Sequence, residues 1–186
     1  TGFMTVDFDQ WPSLSRYVML FLMMIGACAG STGGGMKVSR FLLSVKSALR
    51  ELNSYLFPKS IKKIKMDGKT VDEEAIRGIN VYFTAYILLV ILSTFLVCID
   101  GTDLVSGFSS VLGTFNNIGP GLAKYGPACN FGDASIFSKY VYIFDMLAGR
   151  LEIFPVLILL YPPSWRGLLK RRIKRKKNSR GSVSVS

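Results

Sequence analysis

From Gly78 to Ile99 the chain carries no Asp, Glu, Lys or Arg. At about 1.5 Å per helical residue this run is roughly 33 Å long, enough to cross a hydrocarbon core of about 30 Å, and it predicts a transmembrane helix. A second uncharged run, Tyr17 to Met36, is similar in length but carries Gly26, Gly30 and the consecutive Gly33, Gly34 and Gly35. A third, Ser138 to Trp165, is apolar except for Lys139, Asp145, Arg150 and Glu152.

Charge sets the topology of these runs. Hydrophobic residues make up 49% of the chain, yet its formal net charge is +11, a combination that soluble globular domains seldom show. Of the 23 Lys and Arg, ten lie between Lys37 and Arg77 and nine between Arg166 and Arg180. Basic residues concentrate on the cytoplasmic side of short membrane loops, so both clusters are expected inside the cell. The helix over 78–99 then runs outward and one over 138–161 inward, leaving 100–137 outside or re-entrant. A basic run such as Lys170 to Lys177 also suits nucleic acid, but beside a membrane span it reads as an anchor facing anionic lipid, and no nucleic-acid partner is expected.

Cys28, Cys98 and Cys129 are scattered and odd in number, which indicates no disulfide framework. The chain has no histidine and no cysteine cluster, which removes the usual zinc ligands and the usual general base, and no enzyme activity is expected. It opens at Thr1 without a signal peptide, and its first residues read as the interior of a longer protein.

Residues 1–12 read as a loop ending in the interfacial pair Trp11-Pro12, followed by a helix from Ser13 to Gly26. The stretch A-G-S-T-G-G-G-M-K at 29–37 interrupts that helix before a basic amphipathic one over Val38 to Leu56. Pro58 ends the latter, and Lys59 to Glu74 is a polar connection with a turn at Asp67-Gly68. Asp72, Glu73 and Glu74 then open the membrane span, where negative charge complements the helix dipole. Beyond it, Thr102 is the expected N-cap of a helix over Asp103 to Phe115, about 20 Å long and too short to cross a bilayer. What returns is N-N-I-G-P-G at 116–121, whose glycines and proline oppose helix. Irregular backbone at membrane depth is tolerated only within protein or around a water-filled cavity. Span, short re-entrant helix, irregular loop and span form the M1–P–M2 hairpin of a potassium-channel-like pore.

Selective cation passage needs backbone carbonyls held in a ring, with glycine permitting the angles that aim them inward. Asn116, Asn117, Ile118 and Gly119 fit that chemistry; an ordinary extracellular loop would carry similar turn residues, but their place after a short apolar helix favours a filter. The glycine run at 30–35 is not a Walker A loop, because Met36 stands between Gly35 and Lys37 and the preceding element is helical. Small residues also let membrane helices pack closely, although three consecutive glycines exceed what packing needs. Arg150 in mid-span must face protein or water, either paired with a carboxylate or facing the pore.

Four motifs give a specific resemblance: T-G-F at 1–3, A-G-S-T-G-G-G-M-K at 29–37, N-N-I-G-P-G at 116–121 and M-L-A-G-R-L-E-I-F-P at 146–155. They stand in the order found in Trk/Ktr potassium transporter subunits, which the chain resembles over nearly all of 1–166. The resemblance implies an all-α membrane protein with four M1–P–M2 repeats around one pore. Residues 1–56 would be the filter end and interrupted inner helix of a third repeat, 57–77 a cytoplasmic linker, 78–161 the complete fourth repeat and 162–186 a basic cytoplasmic tail. Gly2 and Gly119 would be filter glycines, with Thr1 flanking the third filter strand and K⁺ held at Asn117, Ile118 and Gly119. Gly30, Ser31, Thr32, Gly33, Gly34 and Gly35 would form an intramembrane gate loop, and Arg150 an electrostatic barrier to cations.

The implied function is potassium uptake across the plasma membrane, the inner membrane of a bacterium. No cofactor is implied in this chain, and a nucleotide enters only through a cytoplasmic TrkA- or KtrA-like ring bound to a homodimer of pore subunits. Two other classes remain open. One is a proton- or sodium-coupled symporter using Asp145, Arg150 and Glu152 as a relay. The other is a non-conducting membrane anchor.

Overall fold

The structure, a computed structural model, describes residues 3–28, 30–31, 33–57, 63–66, 68–151 and 153–160. Thr1, Gly2, Thr32, Glu152 and the tail 162–186, all singled out above, lie outside the described residues. The chain divides into two units, Thr1–Ile153 and Phe154–Ser186.

In the first unit, helix α1 spans Ser13–Ile25 behind Pro12, and Gly26 at φ +78° ends it. Helix α2 follows over Val38–Leu56. The connection carries a two-stranded antiparallel hairpin, β1 Lys65–Met66 and β2 Lys69–Thr70, turned at Gly68 with φ +78°. Two-residue strands leave no alternation to read in a sequence, which is why only the turn was predictable. Ile64 beside the hairpin joins Leu43 of α2 in a small buried cluster.

Helix α3, Glu73–Ile99, is the one described helix long and apolar enough to cross a membrane. Ile76 at its start completes the small cluster, and the Glu73 carboxylate accepts from Nη1 and Nη2 of Arg50, at 2.5 and 3.1 Å. One face of α3 buries Tyr82, Tyr86, Val90, Ser93 and Val97, while Leu88, Ile91, Leu92, Phe95 and Ile99 are exposed. A helix apolar on both faces suits lipid or further membrane helices rather than water.

Helix α4 covers Leu104–Phe115, and the N-cap is Asp103 rather than Thr102: the Asp103 carboxylate accepts from the Val105 amide at 3.1 Å. From Ser106 to Phe115 only Phe108 escapes full burial. Ser106, Gly107, Ser109, Ser110 and Gly113 are small enough for close approach, and their hydroxyls are satisfied. Ser110 donates to the Gly107 carbonyl at 2.8 Å and meets the Tyr142 hydroxyl at 2.9 Å. Over the outer part of α4 lies the segment after the filter motif, with Leu122 N donating to Ser109 Oγ at 2.8 Å and Tyr125 stacked on Phe131 at 4.8 Å.

Helix α5 is Ile136–Arg150, capped by Ser135, whose hydroxyl accepts from Ser138 N at 3.1 Å. The Ser135 and Ser138 hydroxyls both donate to Asp100, just past the end of α3, and hold its carboxyl below the ordinary carboxylate range. The sequence predicts one inner span over 138–161; instead α5 stops at Arg150, with Leu151 N bonded to Leu147 O at 2.9 Å, and helix α6 begins at Ile153 and runs to Leu160. Pro155 explains the break. It has no amide hydrogen and would clash with the Leu151 carbonyl in a continuous helix, whereas the first turn of a new helix tolerates it. The second unit is described only as the part of α6 from Phe154 to Leu160.

Candidate functional site

The filter motif turns back along the helix it leaves. Asn117 N donates to Thr114 O at 3.1 Å, and the amides of Ile118 and Gly119 both donate to Gly113 O, at 2.8 and 3.1 Å. Asn117 and Gly119 hold φ of +54° and +109°. Gly113 makes room for this path: a Cβ there would lie 2.9 Å from the Gly119 oxygen. Gly119 itself meets nothing within 4 Å, so it is required for its backbone angle, which side-chain-bearing residues rarely adopt. The Asn117 and Ile118 carbonyls accept no hydrogen bond among the described residues. The Gly119 carbonyl is turned toward α4.

The glycine loop between α1 and α2 closes at its neck, where Val38 N donates to Ala27 O at 3.0 Å. Its tip, Gly30 and Ser31, is exposed, and its second half, Gly34, Gly35 and Met36, is buried. That buried half is set against the base of the filter turn. A Cβ on Gly34 would lie 2.4 Å from Asn117 Nδ2 and 3.1 Å from the oxygens of Phe115 and Gly149. On Gly35, at φ +79°, it would lie 1.6 Å from Asn116 Oδ1. Across from them a Cβ on Gly149 of α5 would lie 1.7 Å from the Phe115 oxygen, and Gly35 N approaches Gly149 O at 3.4 Å. Gly34 and Gly35 of the loop and the distant Gly149 of α5 thus let loop, filter turn and α5 meet at backbone distance.

Two tyrosines one turn apart on α3 hold the same junction. Tyr82 donates its hydroxyl to Gly35 O at 3.1 Å. The Tyr86 hydroxyl donates to Met24 O at 3.4 Å and accepts from Asn116 Nδ2 at 3.0 Å. Asn116 Nδ2 also donates to Leu112 O at 3.0 Å. Asn116, named above as a filter residue, therefore has its side chain buried in the scaffold, 3% exposed. Tyr82, Tyr86, Gly113 and Gly149 were not picked out from the sequence. Their spacing on α3, four residues, is the one signal that could have paired the tyrosines with each other.

Arg150 follows Gly149 and is exposed at the end of α5. Among the described residues it takes part in no ion pair. Asp145 is not its partner: it is 0% exposed against α3 and accepts from Ser93 Oγ at 2.6 Å, while its Oδ2 has no partner among the described residues. The structure thus separates two members of the relay considered above. It places a guanidinium with no ion-pair partner among the described residues one position from the glycine that touches both loop and filter turn.

Comparison with known proteins follows the same elements. The family described as TrkH, cation transport protein, matches residues 1–165. Over 165 residues the chain is 42% identical to the Trk system potassium uptake protein TrkH of Vibrio parahaemolyticus, covering 89% of this chain and 34% of that protein. It is 32% identical to the Trk system potassium uptake protein TrkG of Escherichia coli strain K12, with the same coverage. The crystal structure of the potassium transporter TrkH from Vibrio parahaemolyticus superimposes with a TM-score of 0.79 at 42% identity, covering 88% of this chain and 35% of that one. The chain spans about a third of the length of the curated relatives it matches.

Proposed function

The chain belongs to the TrkH family of cation transport proteins, and on that premise we propose that it forms the end of a third and the whole of a fourth M1–P–M2 repeat in a gated, channel-like pathway for potassium uptake. Its relatives' names point to potassium. The observation that carries the gated reading is the contact of the Gly34-Gly35 backbone with the base of the filter turn. A loop at that depth obstructs whatever leaves the filter.

In this reading the free carbonyls of Asn117 and Ile118 replace part of the hydration shell of K⁺, and Gly119 supplies the backbone angle that presents them. Thr1 and Gly2 contribute the neighbouring strand, by resemblance. The loop from Gly30 through Thr32 to Gly35 is the gate. Arg150 repels cations at the same level, because its positive charge stands next to Gly149, at the base of the filter turn. The assembly is a homodimer in the bacterial inner membrane, regulated by a cytoplasmic nucleotide-binding ring that meets the basic segment 37–65 and the tail. The role is transport rather than catalysis.

The test is potassium uptake by transport-deficient cells expressing the four-repeat protein that carries these residues. Gly119→Ser is expected to weaken preference for K⁺ over Na⁺, and Arg150→Ala to increase flux. If neither changes in protein that reaches the membrane, the pore assignment fails.

A further inference from the structure

The junction contains more than a blocked exit, because side chains of the filter turn occupy the space that the loop's glycines leave. Asn116 Oδ1 sits where a Gly35 Cβ would be, 1.6 Å away, and Asn117 Nδ2 occupies the equivalent space at Gly34, 2.4 Å away. Asn117 Nδ2 is itself held by the carbonyls of Phe115 and Met146, both at 3.4 Å. Asn116 cannot drift either, being fixed by Leu112 O and the Tyr86 hydroxyl.

We propose that Tyr82, Tyr86 and Asn116 form a latch that holds the glycine loop closed, so that the third repeat's gate is released only when these α3 hydroxyls and the fourth repeat's filter-turn amide let go. The proposal rests on the gate reading above and adds the residues that set its resting position. Tyr82 grips the loop itself through Gly35 O. Tyr86 grips both ends of the movement, the last turn of α1 through Met24 O and the filter turn through Asn116.

Both rings are anchored apart from their hydroxyls. Tyr86 meets Phe115 edge to face with centroids 5.2 Å apart, and the Arg40 guanidinium lies 4.3 Å from the centre of the Tyr82 ring. Tyrosine-to-phenylalanine changes therefore remove the hydrogen bonds and keep the packing. Both side chains are buried, 2% and 1% exposed, and their hydroxyls bond to Gly35 O, Met24 O and Asn116, so they act by positioning the loop.

The experiment measures K⁺ flux into liposomes containing the purified four-repeat protein, for Tyr82→Phe and Tyr86→Phe, each in the intact protein and in one lacking Gly33 to Gly35. Hydrogen bonds of this kind, lost only from the closed state, are expected to raise resting flux roughly two- to tenfold. In the shortened background, where no loop remains to be held, the same changes are expected to add nothing. The latch is overturned if shortening raises flux but neither phenylalanine variant does, an outcome that leaves the gate standing. It is also overturned if the variants raise flux equally in both backgrounds, because the hydroxyls would then act on the filter directly. Shortening that leaves flux unchanged removes the gate, and the latch with it.

Discussion

The chain has two glycine-rich stretches, the loop at 30–35 and the filter motif at 116–121, and they use glycine for different reasons. In the filter motif Gly119 faces open space and is needed for its φ of +109°. In the loop Gly34 and Gly35 are needed because there is no room for a Cβ, and Gly35 has a left-handed φ as well. The first requirement is local and, in the proposed reading, belongs to a turn that presents carbonyls. The second is imposed by other elements and belongs to a segment that touches two neighbours without being covalently continuous with either. A stretch held by contacts can be released from them, whereas a stretch held by its own dihedral angles stays in shape. That difference suits a gate set against a filter.

Substitutions separate the two requirements. The largest effect is expected from Gly149→Ala, whose new Cβ would meet the Phe115 backbone oxygen at 1.7 Å. Backbone must move, at a cost of about 3 kcal/mol or more, and uptake assays should show flux falling at least tenfold or K⁺ preference lost as the filter base shifts. Gly35→Ala comes next, with about 1–3 kcal/mol of backbone strain added to the displacement of Asn116. Because that displacement pushes the loop away from its seat, resting K⁺ flux in liposomes should rise. Gly119→Ala meets no neighbour and carries only the strain, about 1–3 kcal/mol; it should lower the K⁺/Na⁺ flux ratio several-fold while leaving gating intact. The smallest effect is expected at Gly30, at φ +81° with nothing within 4 Å. There alanine should cost about 1 kcal/mol and leave both flux and selectivity within about twofold. A Gly30 variant as disruptive as the Gly35 one would erase the distinction between the two halves of the loop.

Much of this was legible in the chain. The uncharged run located α3, Gly26 and Val38 bounded the interruption between α1 and α2, and Asn116 to Gly121 marked the end of α4, because each of these signals is local. Boundaries set by a single competing residue were not: Asp103 displaces Thr102 as the cap because its carboxylate reaches Val105 N, and Pro155 divides the expected inner span. The junction was hidden for a different reason. Gly35 and Tyr82 are 47 positions apart and Asn116 and Tyr86 are 30 apart, and helical periodicity says which face a residue occupies but not what lies opposite. Gly149 in particular reads as an ordinary small residue in an apolar helix until the Phe115 oxygen is placed beside it.

In the proposed reading the glycine loop obstructs the path below the filter. The most direct test is K⁺ and Na⁺ flux through the reconstituted four-repeat protein with and without Gly33 to Gly35. Higher K⁺ flux is expected in the shortened protein with the K⁺/Na⁺ ratio preserved, because the obstruction is gone and the carbonyls of Asn117 and Ile118 remain in place. Unchanged K⁺ flux from correctly assembled shortened protein would contradict it.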